Sequence, residues 1–437
     1  MSAARAFLDE GVENDAEDYA AALWLHMVSL CTDGETKGSH GGSTPGKAGN
    51  IKRDFHGAHK HYMVKYFWPS DMMRPAFERR FRMPRDVFNS VLEVTVAHSE
   101  YLRKGLRPDA LGRMGISPLL KVICAMYQLS YGIPADLADD LFEVSETTAS
   151  LCLTEFCSAV VDGFRSEYLR QPTQEDLGRI ERRFAAVGFP GCIGCLDCAG
   201  WDWRNCPKAL QGAMIGKDGT PTLRMEVICD LDLWIWSFQF GLPGVLNDLN
   251  ILEVSEHFSQ VLNGRFPPVE PSYSIDGKVF NWFYYLTDGI YPCWKIFVKS
   301  LSTPSSRKEK LYCKLQEGVR KCVERVFGVL FRRFKLLYFA CELWSVERMK
   351  TIAEAAVILH NQIVEARRDS YCSDGAGGLS ANFNSDDDET DMVIESVGAM
   401  RILETMSLAS EGIKVKGLHR KLVTALIEHV WSFHGSS

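Results

Sequence analysis

Apolar side chains recur at helical spacing through much of the first half of the chain. One stripe runs over residues 119–129 and a second over residues 151–161, each with apolar positions three or four residues apart. This periodicity predicts an all-α domain over residues 51–189. Within it, residues 134–141, a short link and Ser145 as the N-cap of a longer helix resemble a helix-turn-helix.

The charge of that helix-turn-helix-like segment argues against a DNA-reading role. Between Gly132 and Gly163 there is no Lys or Arg, whereas seven Asp and Glu residues give a net charge of −7. Phosphate would repel such a surface. We therefore expect the segment to pack against other helices or to dock a partner protein.

After Gly191 the pattern changes to short runs rich in β-branched, aromatic and cysteine side chains, which are typical of strands. Strands and helices then alternate, which predicts an α/β domain with a mixed sheet over residues 190–369. The predicted strands are 192–198, 223–230, 233–241 and 282–288, the second and third forming a hairpin, and the predicted helices are 248–262, 311–334 and 346–367.

The ends of the chain have a different composition. Residues 1–50 end in a Gly- and Ser-rich stretch and are expected to form a flexible appendage and linker; residues 370–437 contain an acidic run and are expected to form a linker and tail.

With 437 residues the chain is too long for one core. It has no apolar run of the roughly 18 to 20 residues that a membrane span needs, so we expect no membrane association.

Four acidic residues lie where predicted strands end or helices run: Asp197, Asp248, Asp288 and Glu324. An ionised carboxylate at the end of an apolar strand is costly unless a cation or hydrogen-bond donors meet it. A pair of divalent ions held by such carboxylates supports in-line attack on a phosphodiester, and hard oxygen ligands favour Mg²⁺ or Mn²⁺.

Simpler roles for three of these carboxylates remain open. Asp248 fits a helix cap, Asp288 a turn before Gly289, and Glu324 an ion pair with Arg320 one helical turn earlier. Asp197 has only a strand core around it, so backbone donors are its alternative partners.

The region around Glu324 is basic although the whole chain has a net charge of −7. Residues 299–335 contain eleven Lys and Arg against three Glu, a net charge of +8. A phosphate backbone along this segment would reach Glu324. The candidate DNA-binding residues are Lys314, Arg320, Lys321, Arg325, Arg332 and Arg333.

Five strings carry a family resemblance: GCLDCAGWDWRNCP, GLPGVLNDLNIL, YYLTDGIYP, QEGVRKCVERVFGVLFRRF and ILHNQIVE. In this order they resemble the PIF/Harbinger superfamily of DDE transposases and their nuclease-like relatives, over residues 77–369. The resemblance implies an RNase H-like catalytic domain. It matches Asp197, Asp288 and Glu324 to the catalytic residues, and these three with Asp248 to the metal ligands.

The same resemblance implies the activity and its partners. Relatives of this kind cleave DNA at transposon ends and join it to a target with divalent metal, so we expect DNA as substrate, a nuclear location and a homo-oligomer. A Myb/SANT-like protein would recognise the DNA. The chain departs from many relatives at Gly200, where they carry His. This departure favours the alternative of a domesticated, non-cutting protein that binds DNA or protein.

Three further sets of residues could be taken for binding sites, but we interpret them as core residues. Cys192, Cys195 and Cys198 have metal-ligand spacing, but in an extended strand the middle one faces away from the other two. Trp201 and Trp203 alternate on a strand, and His360 with Asn361 lies on an apolar helix. We expect both pairs to be buried, although the tryptophans could also stack on unpaired bases.

Overall fold

The computed structural model describes residues 51–67, 74–105, 115–216, 219–246, 252, 254–269, 271–373 and 416–434. The predicted appendage over residues 1–50, the acidic run after residue 373 and Asp248 lie outside these ranges. No helix in the described ranges is long and apolar enough to cross a membrane.

Helices make up the regular structure of the described residues before residue 186. Most of them pack around the helix Pro118–Tyr131 (α5), which is buried along almost its whole length. Ser117 caps α5 at its start, and Gly132 ends it in the left-handed conformation (φ 64°). The helices are α1 (Phe55–Tyr62, followed by a π-helical turn, Met63–Phe67), α2 (Arg74–Phe81), α3 (Arg85–His98), α4 (Glu100–Arg103), α5 (Pro118–Tyr131), α6 (Ala138–Phe142), α7 (Glu146–Tyr168) and α8 (Gln174–Ala185).

The helix-turn-helix-like segment corresponds to α6, a short link and α7. Ser145 is the N-cap of α7, as predicted, and its hydroxyl accepts a hydrogen bond from the amide of Thr148. The acidic α6 is tied to the start of α1 by Arg53, whose guanidinium donates two hydrogen bonds of 2.7 and 2.6 Å to Asp139. One of the seven acids is therefore neutralised within the chain.

A five-stranded mixed sheet forms the centre of the second half, in the order β3-β2-β1-β6-β7. The strands β1, β2 and β3 are antiparallel neighbours, whereas β6 and β7 run parallel to β1. A separate hairpin is formed by β4 and β5. The bounds are β1 (Cys192–Asp202), β2 (Thr222–Cys229), β3 (Ile235–Pro243), β4 (Tyr273–Ile275), β5 (Lys278–Phe280), β6 (Tyr284–Leu286) and β7 (Phe297–Val298), with short helices α9 (Lys208–Met214) and α10 (Glu256–Leu262) between strands.

Three long helices complete the described structure: α11 (Arg307–Arg333), α12 (Val346–Ser373) and α13 (Lys416–His434). The first packs on β1 and β2, the second lies between β3 and α7, and the third packs on α11. The buried hydrophobic residues of the N-terminal helices and of the sheet region form one contiguous cluster.

Most predicted elements of the sheet region are confirmed, with shifted ends. The predicted hairpin is β2 and β3, and the helices predicted at 311–334 and 346–367 are α11 and α12. Within the helix predicted over 248–262, the structure has the shorter helix α10 (Glu256–Leu262). The strand predicted over 282–288 is shorter as well, since β6 covers only Tyr284–Leu286. The β4-β5 hairpin, β7 and α9 were not predicted, because their apolar runs are only two or three residues long.

The residue pair His360 and Asn361 is buried and fully engaged, as expected. The Asn361 side chain accepts a hydrogen bond from the amide of Ile235 and donates to the carbonyls of Ile235 and Tyr168. Nε2 of His360 lies 2.8 Å from the carbonyl oxygen of Leu233. These contacts fasten α12 to β3 and to the end of α7.

Candidate active site

Two of the predicted carboxylates lie side by side because their strands are neighbours in parallel register. Cys195 of β1 pairs with Leu286 of β6. Asp197 and Asp288 each come two residues later in the same direction. Asp197 thus shares the face of Cys195 on β1, whereas Asp288 lies two residues beyond the carboxyl end of β6, where its Oδ1 accepts a hydrogen bond within a turn. The register thus brings together residues that are 91 positions apart in the sequence.

The third carboxylate comes from α11, which crosses the same face of the sheet. The Sγ atom of Cys195 is 3.8 Å from the carbonyl oxygen of Val319, so this part of the helix lies directly on β1. Five residues after Val319 the helix presents Glu324, whose side chain is exposed. Its neighbour one turn earlier, Arg320, extends toward the strand.

Arg320 joins the carboxylates. Its Nη1 donates to Oδ2 of Asp197 over 3.2 Å, and its Nη2 donates to Oε1 of Glu324 over 2.6 Å. Burial disfavours its charge, but attraction to Glu324, Asp197 and Asp288 outweighs this penalty, so the pKa of Arg320 is raised. Arg320 therefore donates hydrogen bonds to two of the four predicted carboxylates and is attracted to a third, Asp288.

The simpler roles considered for these acids are also realised. Glu324 does pair with Arg320, and Oδ1 of Asp288 accepts a hydrogen bond of 3.1 Å from the amide of Ile290, as in a turn. Oδ1 of Asp197 accepts from the amide of Cys198 over 2.8 Å. Each acid thus has a local partner, and the convergence of the three is a tertiary feature.

The donor set suits a hard divalent cation, because carboxylate oxygens are the ligands that Mg²⁺ and Mn²⁺ prefer. Among the described residues, however, no three His, Cys, Asp or Glu side chains are arranged so that they could hold a metal ion as they stand. The guanidinium of Arg320 lies between Asp197 and Glu324. The oxygen ligands thus suit a metal ion, but in this structure the guanidinium of Arg320 occupies the space between two of them.

Four of the six predicted DNA-binding residues form a stripe along α11, which we call the cationic stripe: Lys314, Lys321, Arg325 and Arg332. All four are exposed. They are seven, four and seven residues apart, which at about 100° per residue places them within an arc of about 40° and over about 27 Å of helix. By the same geometry Glu324 lies between the stripe and Arg320.

The other two candidate DNA contacts are placed differently. Arg320 faces the carboxylates, with 17% of its side chain exposed. Arg333 is a correction to the prediction, because only 8% of it is exposed and its Nη1 lies 3.1 Å from Nδ1 of His360. Burial lowers the pKa of Arg333 to about 10. A side chain enclosed in this way is not available to a phosphate backbone.

Sequence reasoning missed the thiol layer beneath the carboxylates. Cys195, Cys229 and Cys322 are buried where α11 meets β1 and β2, and the Sγ atoms of Cys229 and Cys322 are 3.8 Å apart. Burial raises the pKa values of Cys195 and Cys229 well above the ordinary range of a thiol. Hydrogen bonds with these two thiols lower the pKa of Cys322. All three side chains are buried, and their small size lets the helix approach the sheet closely.

The tryptophans beyond Asp197 are core residues, as expected. Trp201 and Trp203 are both buried, and their indole N–H groups donate to the carbonyls of Phe339 and Leu343. Gly200 is exposed, and a Cβ atom there would come within 2.6 Å of Cγ2 of Thr222. A larger residue at this point requires Thr222 to move.

Comparison with known proteins confirms the family resemblance. The family model described as plant transposon protein matches residues 166–371, a range that includes all four predicted carboxylates. The protein named "Putative nuclease HARBI1" from Homo sapiens is 24% identical over 277 residues, covering 62% of this chain and 74% of the relative. Its counterpart from Rattus norvegicus is 23% identical over 287 residues, covering 65% and 77%. No solved structure matches the chain.

Proposed function

This chain is related to Harbinger-derived nuclease-like proteins, and we propose that it is a divalent-metal-dependent DNA endonuclease of the transposase type, which cleaves phosphodiester bonds at transposon ends and joins strands to target DNA. The observation that carries the proposal is the convergence of Asp197, Asp288 and Glu324 on one cationic group, beside the cationic stripe. An aspartate on the central strand and a glutamate on a helix across the sheet also match the RNase H-like arrangement that the family implies.

The proposed roles follow from position. Asp197, Asp248, Asp288 and Glu324 would hold Mg²⁺ or Mn²⁺, which supplies Lewis-acid activation of the attacking oxygen and of the scissile phosphate. The cationic stripe binds the phosphate backbone of a duplex and orients it along α11. Glu324 lies next to that stripe, so a bound backbone passes the carboxylates at the edge of the sheet.

The partners and location belong to the same proposal. The acidic α6–α7 segment is unsuited to phosphate, so a separate Myb/SANT-like protein would select the DNA sequence. Joining two ends of an element requires two active sites, for which we propose a homo-oligomer. DNA as substrate implies the nucleus.

A strand-cleavage assay tests the proposal. Supercoiled plasmid is incubated with the protein and Mn²⁺ or Mg²⁺, and nicked product is measured for the wild type, Asp197→Ala and Glu324→Ala. Since metal coordination contributes several kcal/mol to such a step, each substitution should lower the rate at least about 100-fold. Glu317→Ala is the matched control, because it removes an exposed carboxylate from the same helix without touching the site.

Two results would count against an active nuclease. Cleavage that is unchanged by both Asp197→Ala and Glu324→Ala would refute the assignment of these carboxylates. Salt-dependent DNA binding by the wild type without any cleavage would favour the second candidate, a domesticated DNA- or protein-binding factor. The observation that favours this candidate is Gly200, where many relatives carry His.

A further inference from the structure

Arg320 occupies the centre of the carboxylate group rather than the surface that binds phosphate. Its two terminal nitrogens contact two different acids, one on the sheet and one on its own helix. The exposed side chains of the cationic stripe lie about 120° round the helix from it. Its position therefore differs in kind from that of Lys321 and Arg325, although all three belong to the same basic segment.

Electrostatics explains why a cation is needed at this point. Asp197, Asp288 and Glu324 together carry three negative charges, and Asp197 is only 20% exposed, so these like charges repel one another more strongly than they would in open water. The guanidinium compensates one of these charges and holds Asp197 and Glu324 on either side of itself through directed hydrogen bonds. In the absence of metal, this side chain keeps the acids together.

The same oxygens cannot serve the guanidinium and a metal ion equally well. Oδ2 of Asp197 and Oε1 of Glu324 are both engaged by Arg320, and both residues are ligands in the proposed function. A divalent ion carries twice the charge and binds carboxylate oxygens directly, whereas the guanidinium reaches them through N–H donors. A metal ion on these oxygens therefore competes with Arg320 for their lone pairs and is repelled by its positive charge.

We propose that Arg320 is a positioning residue that acts as an internal counter-ion: it holds Asp197 and Glu324 in place in the metal-free protein and competes with the divalent ion for their oxygens. This inference rests on the proposed function, because it presumes that the same carboxylates bind metal. It adds that a side chain of this protein, Arg320, lowers the affinity of the site for the metal ion.

Removing the guanidinium should raise metal affinity. Binding of Mn²⁺ to the full-length protein without DNA is measured from the loss of the free-ion electron paramagnetic resonance signal, for the wild type, Arg320→Gln and Arg320→Ala. Because a positive charge and two competing hydrogen bonds are lost, both variants should bind Mn²⁺ at least about tenfold more tightly than the wild type. Arg320→Gln keeps most of the stem, so it guards against a packing defect.

The matched control is Arg325→Gln, which removes the same charge from the next turn and faces solvent in the cationic stripe. Its affinity for Mn²⁺ should change less than about threefold, since exposed charges are screened. Thermal unfolding adds a second readout. Without metal, Arg320→Gln should melt below Arg325→Gln, and saturating Mn²⁺ should raise its melting temperature more than that of the wild type.

The outcomes separate this inference from the proposed function. In the first outcome the wild type binds Mn²⁺, Asp197→Asn does not, and Arg320→Gln and Arg320→Ala bind the ion no more tightly than the wild type. Competition by Arg320 is then refuted, and the metal site stands. If neither the wild type nor either Arg320 variant binds Mn²⁺ in a way that depends on Asp197, the metal site itself is refuted, and the inference with it.

Discussion

A buried carboxylate on β2 should make the stability of the protein depend on pH. Glu226 is 1% exposed and lies on the face of the sheet opposite Asp197. Its Oε1 accepts a hydrogen bond of 2.7 Å from the hydroxyl of Ser255, whereas Oε2 has no hydrogen-bond partner in the described structure. A carboxylate with so little solvation favours its protonated form.

The magnitude follows from the shift in proton affinity. Burial raises the pKa of Glu226 from 4.5 to about 7, and the hydrogen bond from Ser255 only partly opposes it. The folded state thus holds the proton more tightly than the unfolded state. This contribution to stability is full below about pH 4.5 and is lost as the pH rises toward 7 and above. Each pKa unit is worth about 1.4 kcal/mol, so the total is about 3 kcal/mol.

The assay is urea unfolding of the wild type and Glu226→Gln at pH 5 and pH 8. The free energy of unfolding of the wild type should fall more between these values than that of the variant, by about 2 to 3 kcal/mol, because the unfolded carboxyl group is already mostly ionised at pH 5. Other buried groups titrate in both proteins; burial raises the pKa of Asp230 to about 6, for example, and their effects cancel in the comparison. Glu317→Gln, an exposed position, is the control.

A difference below about 1 kcal/mol between the two proteins would refute the reasoning. It would mean that Glu226 is solvated or paired in the folded protein, and that the contacts around Ser255 do not describe its environment.

Three other predictions concern the fastening of α12, the C-terminal helix and the cationic stripe. Asn361→Ala should lower the free energy of unfolding by about 3 kcal/mol in urea, because three buried hydrogen bonds to backbone groups are lost; a loss below about 1 kcal/mol would contradict the geometry. Leu426→Ala should cost about 3 kcal/mol in the same assay, since this side chain of α13 is fully buried, and an unchanged stability would mean that α13 does not pack on the sheet region. The double variant Lys321→Ala/Arg325→Ala should reduce the slope of log affinity for duplex DNA against log salt by about 2, measured by fluorescence anisotropy, and an unchanged slope would remove the stripe from the interface.

The helix α11 illustrates which features of the structure the local sequence can predict. Its apolar period is a local property and predicts a helix over 311–334 with its buried face, whereas the first turn, which Ser306 caps, was not predicted. Six of its nine Lys and Arg residues were predicted to contact DNA, and the sequence did not separate their roles. Helical angles set Arg320 apart from the stripe, but Arg332 and Arg333 are neighbours, and only packing against α12 shows that one is exposed and the other enclosed.

Both the sequence and the tertiary structure were needed to define the candidate site. Their places at predicted strand ends and on a predicted helix singled out Asp197, Asp288 and Glu324, and the family resemblance agreed. Residues far apart along the chain nevertheless carry no geometric information about one another. Their meeting depends on the parallel register of β1 and β6 and on the path of α11 over the sheet. Arg320 was expected to contact DNA, although its spacing to Glu324 already allowed the ion pair that the structure contains.

The sequence by itself determined most of the helices and the longer strands, the cap at Ser145 and the chemical identity of the acids and bases, because these depend on neighbours within a few residues. The tertiary structure alone decided which charges face one another, which are enclosed and which remain exposed. The physical reason is that the energy of a charge depends on its distance to other charges and on its access to water, and both are set by the packing of segments remote in the chain.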